Sequence, residues 1–241
     1  MWSNFATRID DIVIGTVTSS IGRSATFDGV MEALAHGEMV NGAFAMAIFW
    51  WYWFRPSDAA TTQRTREHLL CTMIAAAAGL FVARAMALTL PFRTRPRFEP
   101  ALHFVWPAAP NSLIYMNWSA FPSDHVVLFS ALAAGLWYVS RRMGSALLFF
   151  AVFIVGFPRV YYGMHYPTDV LAGAALGAVF AICANEIAAS RRLAGRILPW
   201  ESRSPQGFYV ALFVVTFEFA TMFNSVRSAA GAAFRALARL L

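Results

Sequence analysis

The sequence predicts an all-α integral membrane protein, a helical bundle of about six transmembrane helices behind an N-terminal interfacial segment. Composition gives the first indication. Of 241 residues, 59% are hydrophobic and 13% charged, whereas soluble domains carry about a quarter charged residues. The mean hydropathy is +0.54. The second indication is a recurrence of apolar runs near the ~17–25 residues that cross a bilayer as a helix. The third is that most charges are gathered between those runs.

Six spans are expected, at 38–54, 68–91, 124–140, 144–160, 167–188 and 207–226. Residues 1–37 mix apolar side chains with Asp10, Asp11, Arg23, Asp28 and Glu32, the pattern of a segment lying along the membrane surface. They lack the continuous apolar core of a secretory signal. Residues 38–226 form the transmembrane domain. The tail 227–241 sets Arg227, Arg235 and Arg239 among Ala and Leu, which suggests a short amphipathic helix. Cys71 and Cys183 both lie in apolar runs and indicate neither a disulfide framework nor a metal site.

All 19 basic residues are arginine, and the net charge is +6. In a chain of this hydropathy, a basic balance points to cytoplasmic loops and anionic lipid, not to nucleic acid. Arg55, Arg64 and Arg66, then Arg141 and Arg142, then Arg191, Arg192, Arg196 and Arg203 occupy alternate loops, the last of them at 189–206. The positive-inside rule puts those loops in the cytoplasm. The opposite face, toward the periplasm or cell exterior, then receives three polar clusters: "LPFRTRPRF" at 90–98, "FPSDH" at 121–125 and "RVYYGMHYPTD" at 159–169. Arg93, Arg95 and Arg97 break the positional bias there. Distant clusters meeting on one face suggest one composite site.

The residue types in those clusters suit phosphate chemistry. Arginine offers a planar, permanently charged fork that matches phosphate oxygens, so Arg95 and Arg159, with Arg93, can neutralise a phosphoryl group in transfer. Ser123 and Asp124 open a helix, whose unpaired N–H groups favour an anion. His125 and His165 allow a nucleophile to be paired with a general acid. Asp169 follows His165 by one helical turn and can fix its tautomer, leaving the other ring nitrogen to attack phosphorus. The acidic pairs of a two-metal phosphatase are missing.

"RP" at 95–96, "PSDH" at 122–125 and R-x5-H-x3-D from Arg159 to Asp169 resemble the three signature motifs of the type-2 phosphatidic acid phosphatase superfamily, over roughly residues 38–190. That resemblance implies a membrane lipid phosphatase with no cofactor and no metal. His165 would be the nucleophile that forms a phosphohistidine, Asp169 its orienting partner and His125 the acid for the leaving oxygen. Arg95, Arg159 and Ser123 would bind phosphate. The chain departs from the pattern in three places. Leu88 stands where the family has a lysine, with Arg93 and Arg84 the candidates for its role. Asp124 replaces a glycine, and Pro158 replaces a serine. Among outward-facing lipids the short chain and small loops resemble undecaprenyl-diphosphate phosphatases; phosphatidic acid and phosphatidylglycerol phosphate are rivals. A soluble haloperoxidase does not fit this composition, and a non-catalytic lipid-phosphate carrier would not need both histidines and Asp169.

Taken singly, these features have plainer readings. The 93–97 arginines would serve as interfacial anchors, PSDH as a helix start and H-x3-D as a helical pair. Tyr161, Tyr162 and Tyr166 are expected in the interfacial aromatic belt with Trp50, Trp51 and Trp53. Glu218, deep in the last span, is expected to hydrogen-bond between helices.

Overall fold

The structure, a computed structural model, describes residues 2–104, 116–226 and 228. Among the described residues the regular elements are all helical. The expected N-terminal surface segment folds as α1 (Trp2–Ser20) and α2 (Ala25–His36). Ser24 starts α2, extended in backbone and accepting a hydrogen bond from the amide of Phe27, as a helix N-cap does. Then come α3 (Glu38–Phe54) and the long α4 (Ala59–Thr89). Helix α4 begins nine residues before its apolar run because the Asp58 carboxylate accepts from the amide of Thr61 at 3.0 Å and nucleates polar first turns.

Helix α5 (Asp124–Leu136) is the axis of the bundle. Every residue from Val126 to Leu136 is buried, a pattern expected of a helix covered on all sides. A continuous helix follows, made of α6 (Arg141–Phe149), a π-helical stretch (Phe150–Gly156) and α7 (Phe157–Tyr161). Helix α8 (Pro167–Glu186) packs against α5 so closely that a Cβ on Gly177 would lie 2.2 Å from the carbonyl oxygen of Val127. Only glycine permits that backbone approach. Helices α9 (Ala188–Arg203) and α10 (Pro205–Ala220) complete the described fold. The expected loop at 189–206 is thus mostly helix, its arginines marking one polar face of a surface helix.

Six helices coincide with the expected spans, but only three are both long and apolar enough to cross a membrane: Ala59–Thr89, Arg141–Tyr161 and Pro167–Glu186. Helices α5 and α10 are apolar but shorter, and at 13 residues α5 rises only about 20 Å. Its burial explains this: a helix inside the bundle does not have to match the lipid thickness. The expected tail helix 227–241 lies outside the described residues, apart from position 228.

The two ends of the bundle differ. At one end Arg66 pairs with Glu201 at 2.7 Å, His68 meets Asn185 at 2.8 Å and Tyr138 donates to Glu186 at 2.8 Å. The other end gathers the three polar clusters. Two expectations are corrected here. Tyr161, Tyr162 and Tyr166 are buried, at 1%, 5% and 8% exposure, because α1 and α2 cover them. Tyr161 donates to the Asp28 carboxylate. Among the described residues the buried Glu218 Oε2 has no hydrogen-bond partner, so the expected helix–helix bond is not made by that oxygen.

Candidate active site

Backbone hydrogen bonds tie the three clusters into one unit. Arg97 N donates to Gly163 O at 3.1 Å, Ala120 N to Arg93 O at 2.9 Å and Ser123 N to Asp169 O at 3.2 Å. Each bond joins two clusters that are distant in sequence. Gly163 carries φ +60, and a Cβ there would approach Arg97 Cβ to 2.9 Å; both demands select glycine.

The loop that bears His165 is set up by the end of α7. Pro158 has no N–H and its ring crowds the preceding turn; the helix widens into its π-helical stretch just before it, with Phe157 N donating to Val152 O, the usual accommodation of such strain. The Arg159 guanidinium donates to Val155 O at 2.9 Å, and Arg159 is 2% exposed. Its own carbonyl accepts from the amides of Met164 and His165. Pro158, which replaces a serine of the family pattern, therefore sits just after the π-helical stretch and directly before Arg159. From the first cluster, Arg95 reaches the same loop and donates to Met164 O at 3.2 Å and Trp118 O at 3.2 Å.

His165 is buried and its Nδ1 lies 2.7 Å from the carbonyl oxygen of Ala120. A carbonyl only accepts, so Nδ1 carries the hydrogen and Nε2 is left with its lone pair. Burial, then the positive charge of Arg95, hold the pKa of His165 well below the ordinary 6.5, with Arg159 adding to the effect and Asp124 opposing it. The neutral form of the ring is therefore favoured.

Asp169 does not make the expected hydrogen bond to His165. Its Oδ2 lies 3.9 Å from Nδ1, and it accepts instead from the amide of Tyr166 at 2.8 Å. Its Oδ1 accepts from the Arg93 guanidinium. Orienting the ring falls to Ala120, while Asp169 holds the turn on which the ring is mounted. Arg93 is likewise occupied: it donates to Asp10 at 2.5 Å and to Thr168 at 2.9 Å, and it lies over the Tyr166 ring. Two carboxylates, those of Asp10 and Asp169, thus pair with this one guanidinium.

Ser123 stands at the start of α5 but makes no side-chain cap. Among the described residues its buried hydroxyl has no hydrogen-bond partner. Such a group is costly unless a ligand completes it. The next two residues pair with each other. Asp124 Oδ1 accepts from the amide of His125 at 2.8 Å and lies 2.8 Å from its Nδ1, and Asp124 Oδ2 lies 3.6 Å from Arg84 Nε. Of the two candidates for the missing lysine's role, Arg84 is the one beside the second motif. Leu88 is exposed. Among the described residues, no group of three or more His, Cys, Asp or Glu is gathered as a metal site.

Sequence reasoning missed Asp10. It is 1% exposed and accepts from Arg93, from Thr168 N at 3.0 Å and from Thr168 Oγ1 at 2.6 Å. The signal was present. Asp10 falls at helical spacing with Ile14, Val17 and Ile21, all buried, so this acid occupies the inward stripe of α1. Ala120 was invisible because its backbone carbonyl does the work.

The PAP2 superfamily matches residues 69–192, just over half of the chain and all three clusters. The chain belongs to the PAP2 superfamily. Undecaprenyl-diphosphatase BcrC of Bacillus subtilis (strain 168) is 28% identical over 148 residues, 61% of this chain and 68% of that protein. YbjG of Escherichia coli (strain K12), which bears the undecaprenyl-diphosphatase name provisionally, is 32% identical over 159 residues, 64% of this chain and 72% of its own length. Decaprenylphosphoryl-5-phosphoribose phosphatase of Mycobacterium tuberculosis (strain CDC 1551 / Oshkosh) is 35% identical over 138 residues, 56% and 69% of the two chains. No solved structure gives a significant match. Asp10 lies outside the superfamily match.

Proposed function

We propose that this PAP2 member is a lipid-phosphate hydrolase that works through a phosphohistidine, with undecaprenyl diphosphate as the first-choice substrate. The observation that carries the reading is the buried His165 imidazole pinned at Nδ1 by Ala120 O, with burial and the charges of Arg95 and Arg159 disfavouring its protonated form. A neutral ring with a fixed tautomer is a nucleophile ready at one atom. The Nε2 lone pair attacks phosphorus, and the bond from phosphorus to the leaving oxygen breaks. His125 donates a proton to that oxygen. Water then attacks the phosphohistidine, giving its proton to the now neutral His125, and inorganic phosphate leaves as the His165 Nε2–P bond breaks. Arg95, Arg159 and Ser123 hold the phosphoryl oxygens, and Arg charge offsets what develops in transfer. The reaction requires no metal.

The names of the bacterial relatives, a polyprenyl diphosphatase and a polyprenyl phosphosugar phosphatase, support a polyprenyl lipid. Phosphate release in detergent, measured over undecaprenyl diphosphate, undecaprenyl phosphate, phosphatidic acid and phosphatidylglycerol phosphate, tests the class and the preference together. Release from none of them ends the reading.

We further propose that the domain 38–226 sits in the inner (plasma) membrane, with the site facing the periplasm or exterior and 1–37 along its surface. In a Cys71→Ala, Cys183→Ala background, cysteines replacing Trp118 and Trp200 should label from opposite sides, position 118 from outside. Labelling of 118 from the cytoplasm reverses the orientation.

A further inference from the structure

We propose that Asp124, where the superfamily pattern has glycine, is a positioning residue that makes His125 the proton donor, with Arg84 as its counter-charge. This rests on the hydrolase reading above and assigns two residues that reading leaves without a task.

The geometry carries the assignment. A carboxylate only accepts, so the 2.8 Å contact between Asp124 Oδ1 and His125 Nδ1 places a hydrogen on Nδ1 and leaves Nε2 as the nitrogen that exchanges protons. The same oxygen holds the His125 amide at 2.8 Å, so ring and backbone are fixed by one group. That choice carries an electrostatic cost, because an uncompensated carboxylate beside an arriving phosphate repels it. Arg84, from the neighbouring α4, answers this charge: its Nε lies 3.6 Å from Asp124 Oδ2. The guanidinium is in turn fixed by Nη2 donating to Met222 O at 3.0 Å, which ties α4 to the segment after α10.

Asp124 lies on the same helix as His125 and Arg84 on α4. His165, Arg95 and Arg159 come from the first and third clusters, and Asp169 from α8. Asp169 is turned to Arg93 and the Tyr166 amide. Asp124 is thus the carboxylate that the structure places in contact with the His125 ring.

A plainer role for Asp124 is a helix-start anion, which interacts favourably with the α5 dipole. The two roles differ in the pH profile. With Asp124 as positioning residue, Asp124→Gly and Asp124→Asn move the basic limb of kcat/KM down by about one pH unit or more, since the imidazolium loses its partner. That is a further fall of about tenfold on the basic side. Arg84→Gln does the opposite: the limb moves up and KM rises, and Arg84→Lys restores both. The assay uses full-length protein and one lipid phosphate throughout, so substrate ionisation cancels between variants. Unmoved basic limbs in Asp124→Gly and Arg84→Gln overturn the proposal and leave Asp124 as a helix-start residue. If the Asp124 variants do not purify folded, the Arg84 pair decides by the same criterion. Wild-type protein inactive on every lipid phosphate overturns the hydrolase reading instead, a result distinct from active variants with unmoved limbs.

Discussion

His165 rests its Nδ1 on the carbonyl of Ala120 at 2.7 Å, whereas His125 rests its own on the carboxylate of Asp124 at 2.8 Å. The difference is one of charge more than of geometry. A carbonyl fixes the tautomer and adds little to the protonated form; a carboxylate fixes it and favours the cation. The surroundings follow the same division. His165 is buried, with Arg95 and Arg159 raising the cost of protonation. His125 is only partly buried and has a carboxylate at its side. A nucleophile needs its lone pair and an acid needs its proton, so the acceptor beneath each ring suits the role proposed for it.

The strongest attempt to break that division is removal of the nucleophile. His165→Ala is expected to abolish turnover on every phosphate ester while the protein still inserts and purifies as wild type. Phosphate release at a wild-type-like rate would end the phosphohistidine mechanism. Next in size is Arg159→Lys, expected to lose ~10²–10³-fold in kcat, comparable to loss of one oriented donor at a developing charge. A variant within a factor of three of wild type would show that the planar fork is not needed.

His125→Ala sharpens the comparison through the leaving group. General acid catalysis contributes ~10²–10⁴-fold, and that loss should appear on a lipid monophosphate, whose alkoxide leaves badly. On p-nitrophenyl phosphate the loss should be far smaller, because phenolate needs little protonation. His165→Ala should be equally inactive on both. Equal losses for His125→Ala on the two substrates would make His125 a phosphate ligand and remove the contrast.

Much of this was legible in the sequence because the chemistry-bearing side chains lie in short motifs with fixed spacing. The alternation of apolar runs assigned 90–98, 121–125 and 159–169 to one face, and backbone bonds such as Arg97 N to Gly163 O do join them. What stayed hidden depends on contacts across the fold. Ala120 acts through its backbone, so its side chain carries no trace of the task. The partners of Arg93 are of this kind: Asp10, 159 residues before Asp169, draws it into a buried pair of carboxylates. Three of the six expected spans go without support from helix length, for a related reason. Hydropathy reports an apolar helix equally well when protein, not lipid, surrounds it, as around α5.

That hidden carboxylate gives a smaller prediction. Asp10→Asn keeps size and shape but removes the charge that receives Arg93 and both Thr168 donors. Arg93 is about a third exposed and retains Asp169, which moderates the loss to about 1–3 kcal/mol. Thermal unfolding in detergent should report a lower Tm, and kcat should fall several-fold with the leaving-group dependence of His125 intact. An unchanged Tm would mean that α1 is not fastened to the site through Asp10.

The smallest expected effect tests the His165 half of the comparison directly. The acid limb of kcat/KM reports protonation of the free enzyme's nucleophile. In wild type that limb should fall below the ordinary histidine value of 6.5, because burial and Arg95 disfavour the charged ring. Arg95→Gln removes one positive neighbour, so the imidazolium becomes easier to form and the limb moves up, by about half a unit to one unit. Arg95→Lys retains the charge. It should bind phosphate less well for lack of the fork, yet keep the limb where wild type has it. Weaker binding lowers the height of the profile without moving its midpoint, so loss of a phosphate ligand alone cannot imitate the shift. The basic limb, assigned to His125, should stay in place in both variants. A Gln variant with an unmoved acid limb, or a Lys variant shifted as far as Gln, would show that Arg95 charge does not keep His165 neutral.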